Sequence, residues 1–161
     1  MTGADIASRK ASIRARDYLP GDLAACLALF DSNVPEFFMP SEREMLSAFL
    51  AALPGPYLVL VNDAGLVVAS GGYSVAPGTA TAEFRWGMVS RTRHSSGLGR
   101  LLLDARLERI AADPAIRDVT LHTTQLTEGF YAHCGFVTEQ VLPDGIGPGL
   151  HRCNMRLRLP P

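Results

Sequence analysis

Hydrophobic and polar positions along the chain change period several times, and each change marks an element. Leu23, Cys26, Leu27 and Phe30 recur at helical spacing, which predicts a helix over 23–30 with Asp22 as its cap. A short strand is predicted before it, over 12–15. The following stretch, DSNVPEFFMP, carries two prolines and cannot continue the helix. Ser41-Glu42-Arg43-Glu44 then reads as a capping box, in which a Ser and a Glu three positions on satisfy each other's orphan amides. The helix it opens is expected to end near Ala52, before Pro54-Gly55-Pro56.

Strand patterns follow. Runs at 57–61, 66–74 and 81–89 are separated by Asn62-Asp63-Ala64-Gly65 and by Pro77-Gly78, which predicts an antiparallel meander. Helical period returns at Leu98, Leu101, Leu102 and Ala105, with Leu103, Leu107 and Ile110 widening the face and Asp113-Pro114 stopping it. A strand over 119–123, a short helix over 128–134 closed by Gly135, and two C-terminal strands complete the chain. The last strand alternates at Cys153, Met155, Leu157 and Leu159. The order is β-α-α-β-β-β-α-β-α-β-β. With no repeat or dividing linker, 1–161 is expected to be one α+β domain, its small, polar residues 1–11 frayed.

Composition narrows the function. The 161 residues are 47% hydrophobic and 19% charged, as in ordinary globular proteins. A net charge of −1 supplies no global field toward nucleic acid or anionic membrane. Cys26, Cys134 and Cys153 are too few and scattered for a disulfide framework or a zinc site, which suggests a reducing, cytoplasmic setting. The polar N-terminus lacks the apolar core of a signal peptide, and no apolar run approaches the ~20 residues of a membrane span.

The chemistry concentrates in Val89 to Leu103, VSRTRHSSGLGRLLL. A strand runs into a glycine-containing turn that opens a helix. Free amides and the helix dipole face out of that N-terminus, and Gly97 and Gly99 let a phosphate approach them closely. The result is a diphosphate cradle. Neither a complete G-x-G-x-x-G nor a Walker Gly-Lys-Ser/Thr is present. The segment resembles the acetyl-CoA motif of the GNAT acetyltransferases, a strand ending in Val, then R/Q-x-x-G-x-G/A, then an apolar helix. His94-Ser95-Ser96-Gly97-Leu98-Gly99 occupies the hexapeptide, with His94 where Arg or Gln is usual. Phe130-Tyr131-Ala132-His133-Cys134-Gly135-Phe136 is similar to the family's second signature, aromatic-Tyr-x-x-x-Gly-Phe. The resemblance spans Ile13 to Leu157.

It implies a mixed, mostly antiparallel central sheet flanked by helices, with acetyl-CoA as co-substrate and no metal. It carries the acetyl-CoA contacts onto Met88, Val89, His94, Ser95, Ser96, Gly97, Leu98, Gly99, Arg100 and Thr124, the last standing where the family often has Asn. The Val89 amide would polarise the thioester carbonyl at a strand edge that pairs with the pantetheine amides. Tyr131 would be the acid for the leaving thiolate, the other reading being a packing tyrosine with a wet hydroxyl. Glu83, six residues before Val89, would be the base, with His122 in reserve. Strand alternation puts Glu83, Arg85, Gly87 and Val89 on one face and Trp86 on the other. Glu83 also has a structural reading, as a partner of Arg85. Gly87 inside a strand marks a bulge or a close backbone approach.

The family builds its acceptor site from the loop between the first two helices and the loop joining the last two strands. Here those contain Asp31, Glu36 and Asp144, which would attract a cationic amine or serve as ordinary turn residues. The expected reaction moves an acetyl group from acetyl-CoA to a primary amine of a small molecule or peptide. The alternative is a non-catalytic acyl-CoA-binding or sensor module of the same fold. Arg91, Arg93, His94 and Arg100 form a local basic group that the CoA phosphates already account for, which leaves no separate nucleic-acid face. Dimerisation through the C-terminal strands is common in the family, so a homodimer is one assembly the resemblance allows.

Overall fold

The computed structural model describes residues 12–161. The frayed segment expected over 1–11 lies outside the described residues. Seven strands, β1 (Arg14–Asp17), β2 (Tyr57–Val61), β3 (Val67–Val75), β4 (Thr81–Val89), β5 (Asp118–Thr123), β6 (Val137–Gly147) and β7 (Leu150–Arg158), form one sheet in the order β1-β2-β3-β4-β5-β7-β6. Four helices flank it: α1 (Leu23–Ser32), α2 (Glu42–Ala52), α3 (Leu98–Ala111) and α4 (Glu128–His133). The predicted order holds. β1 starts two residues later than expected, and α1 runs on to Ser32.

Both faces of the sheet are covered, which is why β2 (YLVLV) is apolar at every position and buried throughout. Cys26, Phe30, Leu46 and Phe49 of α1 and α2 pack with Tyr57, Val59 and Met88 on one face. Leu102, Leu103 and Ile110 of α3 pack on the other, against Leu60 and Val68 and against Phe84 and Val119.

Two caps differ from expectation. The Ser41 side chain makes no cap hydrogen bond; instead the Glu42 carboxylate turns back and accepts the Met39 amide at 2.8 Å. Asp22 likewise points backward, accepting from the Leu19 amide at 2.8 Å and from both terminal guanidinium nitrogens of Arg16 at 2.8 and 3.0 Å. Asp22 thereby gains charge-assisted hydrogen bonds from a cation as well as an amide.

β4 carries the two distortions that shape the site. Ser70 pairs with Met88 and Gly72 with Arg85, so Trp86 and Gly87 together oppose Gly71 in a β-bulge. Trp86 has φ of 50°, and the Tyr57 hydroxyl donates to its carbonyl at 3.1 Å. The extra residue resets the alternation. Arg85 lies over Phe49 of α2, and Trp86 and Met88 pack on that same side. Gly87 faces Arg106 and Val89 packs with Leu98 and Leu102, all on the α3 side. Glu83 therefore does not share a face with Gly87 and Val89, and the expected single face is corrected. The second distortion is a splay: β4 and β5 pair in parallel only from Thr81–Asp118 to Glu83–Thr120. Beyond that the strands separate.

Candidate active site

The gap between β4 and β5 opens into a cavity of about 830 Å³. Met88 and Val89 of β4, His122 of β5, Thr124, Tyr131 of α4, and Gly97, Gly99 and Arg100 at the start of α3 all border it. Glu83, Ser95 and His94 border it too. Thus the two sequence motifs, whose Gly97 and Tyr131 stand 34 positions apart in the chain, converge on one space.

The turn into α3 forms as its glycines dictate. Gly97 sits at φ 87°, in the left-handed region, and hands the chain to α3. The first backbone bond of the helix is Leu101 N–H to Gly97 C=O at 3.1 Å. Among the described residues, the amides of Ser95 to Arg100 find no backbone carbonyl to donate to, which leaves them available to an anion, with the positive helix end behind them. A β-carbon on Gly99 would stand 3.3 Å from the Phe130 ring, so α3 and α4 approach closely because this residue has no side chain. These free amides fit a diphosphate.

Individual side chains sort themselves further. Leu98 is core rather than lining, and the Ser96 hydroxyl donates to the Arg93 carbonyl. At these two positions only the backbone can face a phosphate. His94 turns inward: its Nε2 lies 3.1 Å from the Val89 carbonyl and its ring packs edge-on against Phe37. The family's basic position is here a tie between the cradle and the end of β4. Asn33 donates to the same carbonyl at 2.9 Å. Since N–H and C=O of one strand residue point the same way, and Ser90 N–H bonds β3 at Val68, the Val89 amide faces the open edge. Thr124 is buried, and its carbonyl accepts the Thr127 and Glu128 amides at the start of α4.

Asn33 was not legible as a site residue. It is 3% exposed, its amide nitrogen is committed to Leu29 and Val89, and its Oδ1 has no partner among the described residues although Asn33 borders the cavity. The available signal was a polar residue directly after α1, in the loop expected to border the acceptor.

Glu83 makes no ion pair among the described residues; Arg85 instead donates to Ser74 Oγ at 3.3 Å and lies over Phe49. The structural pairing of Glu83 with Arg85 is not formed. His122 stands across the splay, where burial and then Arg152 push its imidazole pKa down, with Glu83 opposing. Tyr131 packs between Phe130 and Phe136, ring centroids 5.1 and 5.7 Å away.

The acceptor loops meet, but not through the expected carboxylates. Asp31 pairs with Arg43 and Glu36 with Arg91, while Asp144 accepts the Gly149 amide in its turn. The lining comes instead from Phe37, Phe38, Met45, Trp86 and Ile146, with Glu42 beside them. Phe38 stacks on Phe30 and lies 6.2 Å from Trp86. Burial raises the Glu42 carboxyl pKa, with the Met39 amide opposing. Among the described residues, no group of three or more His, Cys, Asp or Glu side chains is placed to hold a metal, and no helix is long and apolar enough to cross a membrane.

The splayed sheet, the helix-end cradle and the cavity between them are features of one acyltransferase architecture, and the family model described as "Acetyltransferase (GNAT) family" matches residues 26–136. The chain belongs to the GNAT acetyltransferase family. A GNAT-family acetyltransferase structure from Desulfovibrio desulfuricans is 26% identical, covering 91% of this chain and 98% of that one with a TM-score of 0.75. A phosphinothricin acetyltransferase from Sinorhizobium meliloti, solved with acetyl-CoA, is 20% identical over 92% of this chain and 89% of that one, with a TM-score of 0.73. A spermidine N-acetyltransferase from Vibrio cholerae is 16% identical over 92% and 94%, with a TM-score of 0.72. The last two show likeness of fold. No curated protein sequence matches the chain.

Proposed function

We propose that this protein transfers an acetyl group from acetyl-CoA to a primary amine by direct attack within a ternary complex. The observation that carries the reading is the placement of Glu83, Tyr131 and the α3 cradle around one cavity in a splayed sheet. The amides of Ser95 to Arg100 hold the diphosphate, and the free edge of β4 through Met88 and Val89 pairs with the pantetheine arm. The acetyl-CoA complex of the Sinorhizobium relative supports this co-substrate.

Glu83 takes the proton from the attacking amine, directly or through water, because an alkyl ammonium with pKa near ~10.4 is otherwise no nucleophile. The Val89 amide stabilises charge on the carbonyl oxygen. Tyr131 gives its hydroxyl proton to the departing sulfur as the C–N bond forms and the C–S bond breaks. The lining of Phe37, Phe38, Met45, Trp86 and Ile146 suits an amine carried on a partly apolar body, either a small molecule or a peptide end.

Initial-rate kinetics test the direct route. Intersecting double-reciprocal lines, with no acetylated enzyme by mass spectrometry, are expected. Parallel lines with an acetyl adduct would contradict attack within a ternary complex.

A further inference from the structure

Glu83 and Arg85 stand two residues apart on β4, upstream of the bulge. Ser74 pairs with Glu83, Tyr73 with Phe84 and Gly72 with Arg85, so the strand alternates regularly over these three positions. Phe84 points toward α3, where the Arg106 guanidinium carbon lies 3.9 Å from the centre of its ring. Glu83 and Arg85 therefore emerge together on the α2 face, about 6.6 Å apart along the strand. Both are half-buried and both border the cavity.

Opposite charges so placed would ordinarily pair, yet neither forms an ion pair among the described residues. The Arg85 guanidinium lies 4.9 Å over the Phe49 ring and donates to Ser74 Oγ at 3.3 Å, on the residue that opposes Glu83 in β3. That contact to a neutral hydroxyl uses one of its five donors. The carboxylates of the neighbouring acceptor loop do not supply the missing partner. Asp31 pairs with Arg43 and Glu36 with Arg91, while Glu42 accepts from the Met39 amide. The acceptor end of the cavity thus presents one anion and one cation side by side, each without a counter-charge.

We infer that Glu83 and Arg85 form a bipolar site for a free α-amino acid with an apolar side chain: the substrate amine lies at Glu83 and its carboxylate at Arg85. The inference rests on the reading of the protein as an amine acetyltransferase with Glu83 as base. An α-amino acid carries its two charged groups about 2.5 Å apart, from standard bond lengths. With a hydrogen bond of about 2.8 Å at each end, it bridges two side chains that do not meet each other. Phe37, Phe38, Met45 and Trp86 receive its apolar side chain. A peptide end has a neutral amide where this substrate has its carboxylate, and a polyamine brings a second cation that Arg85 repels.

The test compares L-phenylalanine, L-methionine and L-leucine with their three carboxamides, which share each apolar body and lack the negative charge. Thiol release from acetyl-CoA is followed in wild type, Arg85→Met and Arg85→Lys, with acetyl-CoA binding measured by calorimetry on the same samples. Wild type is expected to favour the acid over its amide roughly 10–100-fold in kcat/KM, the usual worth of a hydrogen bond to a charged group, and to do so through KM. Arg85→Met should abolish that preference, and Arg85→Lys, which keeps the charge without the planar fork, should retain part of it. The ratio is read within each variant, so a general loss of activity cancels. If Arg85→Met does not fold, Arg85→Gln serves as the neutral variant. Wild type that acetylates the amides as well as the acids, or only amines without a carboxylate, would overturn the inference and leave the acetyltransferase reading standing. A preference for the acid that survives in a folded neutral variant would overturn the role of Arg85. Release on no amine at all would contradict the acetyltransferase reading and take the inference with it.

Discussion

Gly147, at the end of β6, packs against Met39 in the loop between α1 and α2, so that a β-carbon on the glycine would stand 2.7 Å from the Met39 sulfur. This contact joins the hairpin to the loop on the acceptor side of the cavity, where Ile146, Phe37 and Phe38 meet. Gly147→Val should push the two apart and loosen the amine site. The expected result is an amine KM raised roughly 10-fold, the cost of about 1.4 kcal/mol in binding, with the acetyl-CoA KM unchanged. Equal effects on both substrates would place the contact outside the acceptor site.

Gly97→Glu tests the cradle. A carboxylate at the start of α3 would occupy the anion position and repel the diphosphate. Gly97→Ala shares the backbone strain at φ 87°, which costs about 1–2 kcal/mol, but not the charge. Calorimetry should show acetyl-CoA binding lost in the Glu variant and largely kept in the Ala variant. Binding retained in Gly97→Glu would mean that the cradle is misplaced.

Tyr131→Phe should lower kcat by about 100-fold or more while leaving the acetyl-CoA dissociation constant within a few-fold, because the hydroxyl acts only as the sulfur departs. An unchanged rate would eliminate it as the acid.

Glu83→Gln should depress activity most near neutral pH, where amines are protonated, and least at alkaline pH. A pH–rate profile reads this directly. A uniform loss across pH would return Glu83 to a structural role. A profile that survives in Glu83→Gln and disappears in His122→Gln would move the base to His122.

Asp22 gives a stability prediction. The Arg16 hydrogen bonds hold its pKa down, burial opposes them, and the Leu19 amide adds to the lowering. A depressed folded pKa contributes stability that is present above the unfolded value near ~3.9 and is lost as pH falls through the folded value. Asp22→Ala should therefore cost about 1 kcal/mol at pH 7, the partly exposed Arg16 limiting the ion pair. The difference from wild type should shrink in acid, as denaturant melts at several pH values would show.

The element order and both motifs were legible because each rests on local spacing: apolar residues at helical intervals, alternation in β7, and glycines at the start of α3. What escaped the sequence depends on other elements. The β4 bulge is set where β3 meets β4, so simple alternation placed Glu83 and Val89 on one face when Trp86 separates them. Asp31 and Glu36 looked available to an amine only because their partners, Arg43 and Arg91, come from other segments. Arg106 is a charged residue within an otherwise apolar helical face. It falls at four-residue spacing between Leu102 and Ile110, on the buried face of α3.

The measurement that tests the central claim most directly is thiol release from acetyl-CoA by the wild-type protein against a panel of primary amines, after calorimetry has established binding on the same sample. The account predicts binding, and release that requires an amine and is strongest on amines with apolar bodies. Binding without release on any amine would leave a CoA-binding module in place of an enzyme, and no binding would contradict the cradle on which the account depends.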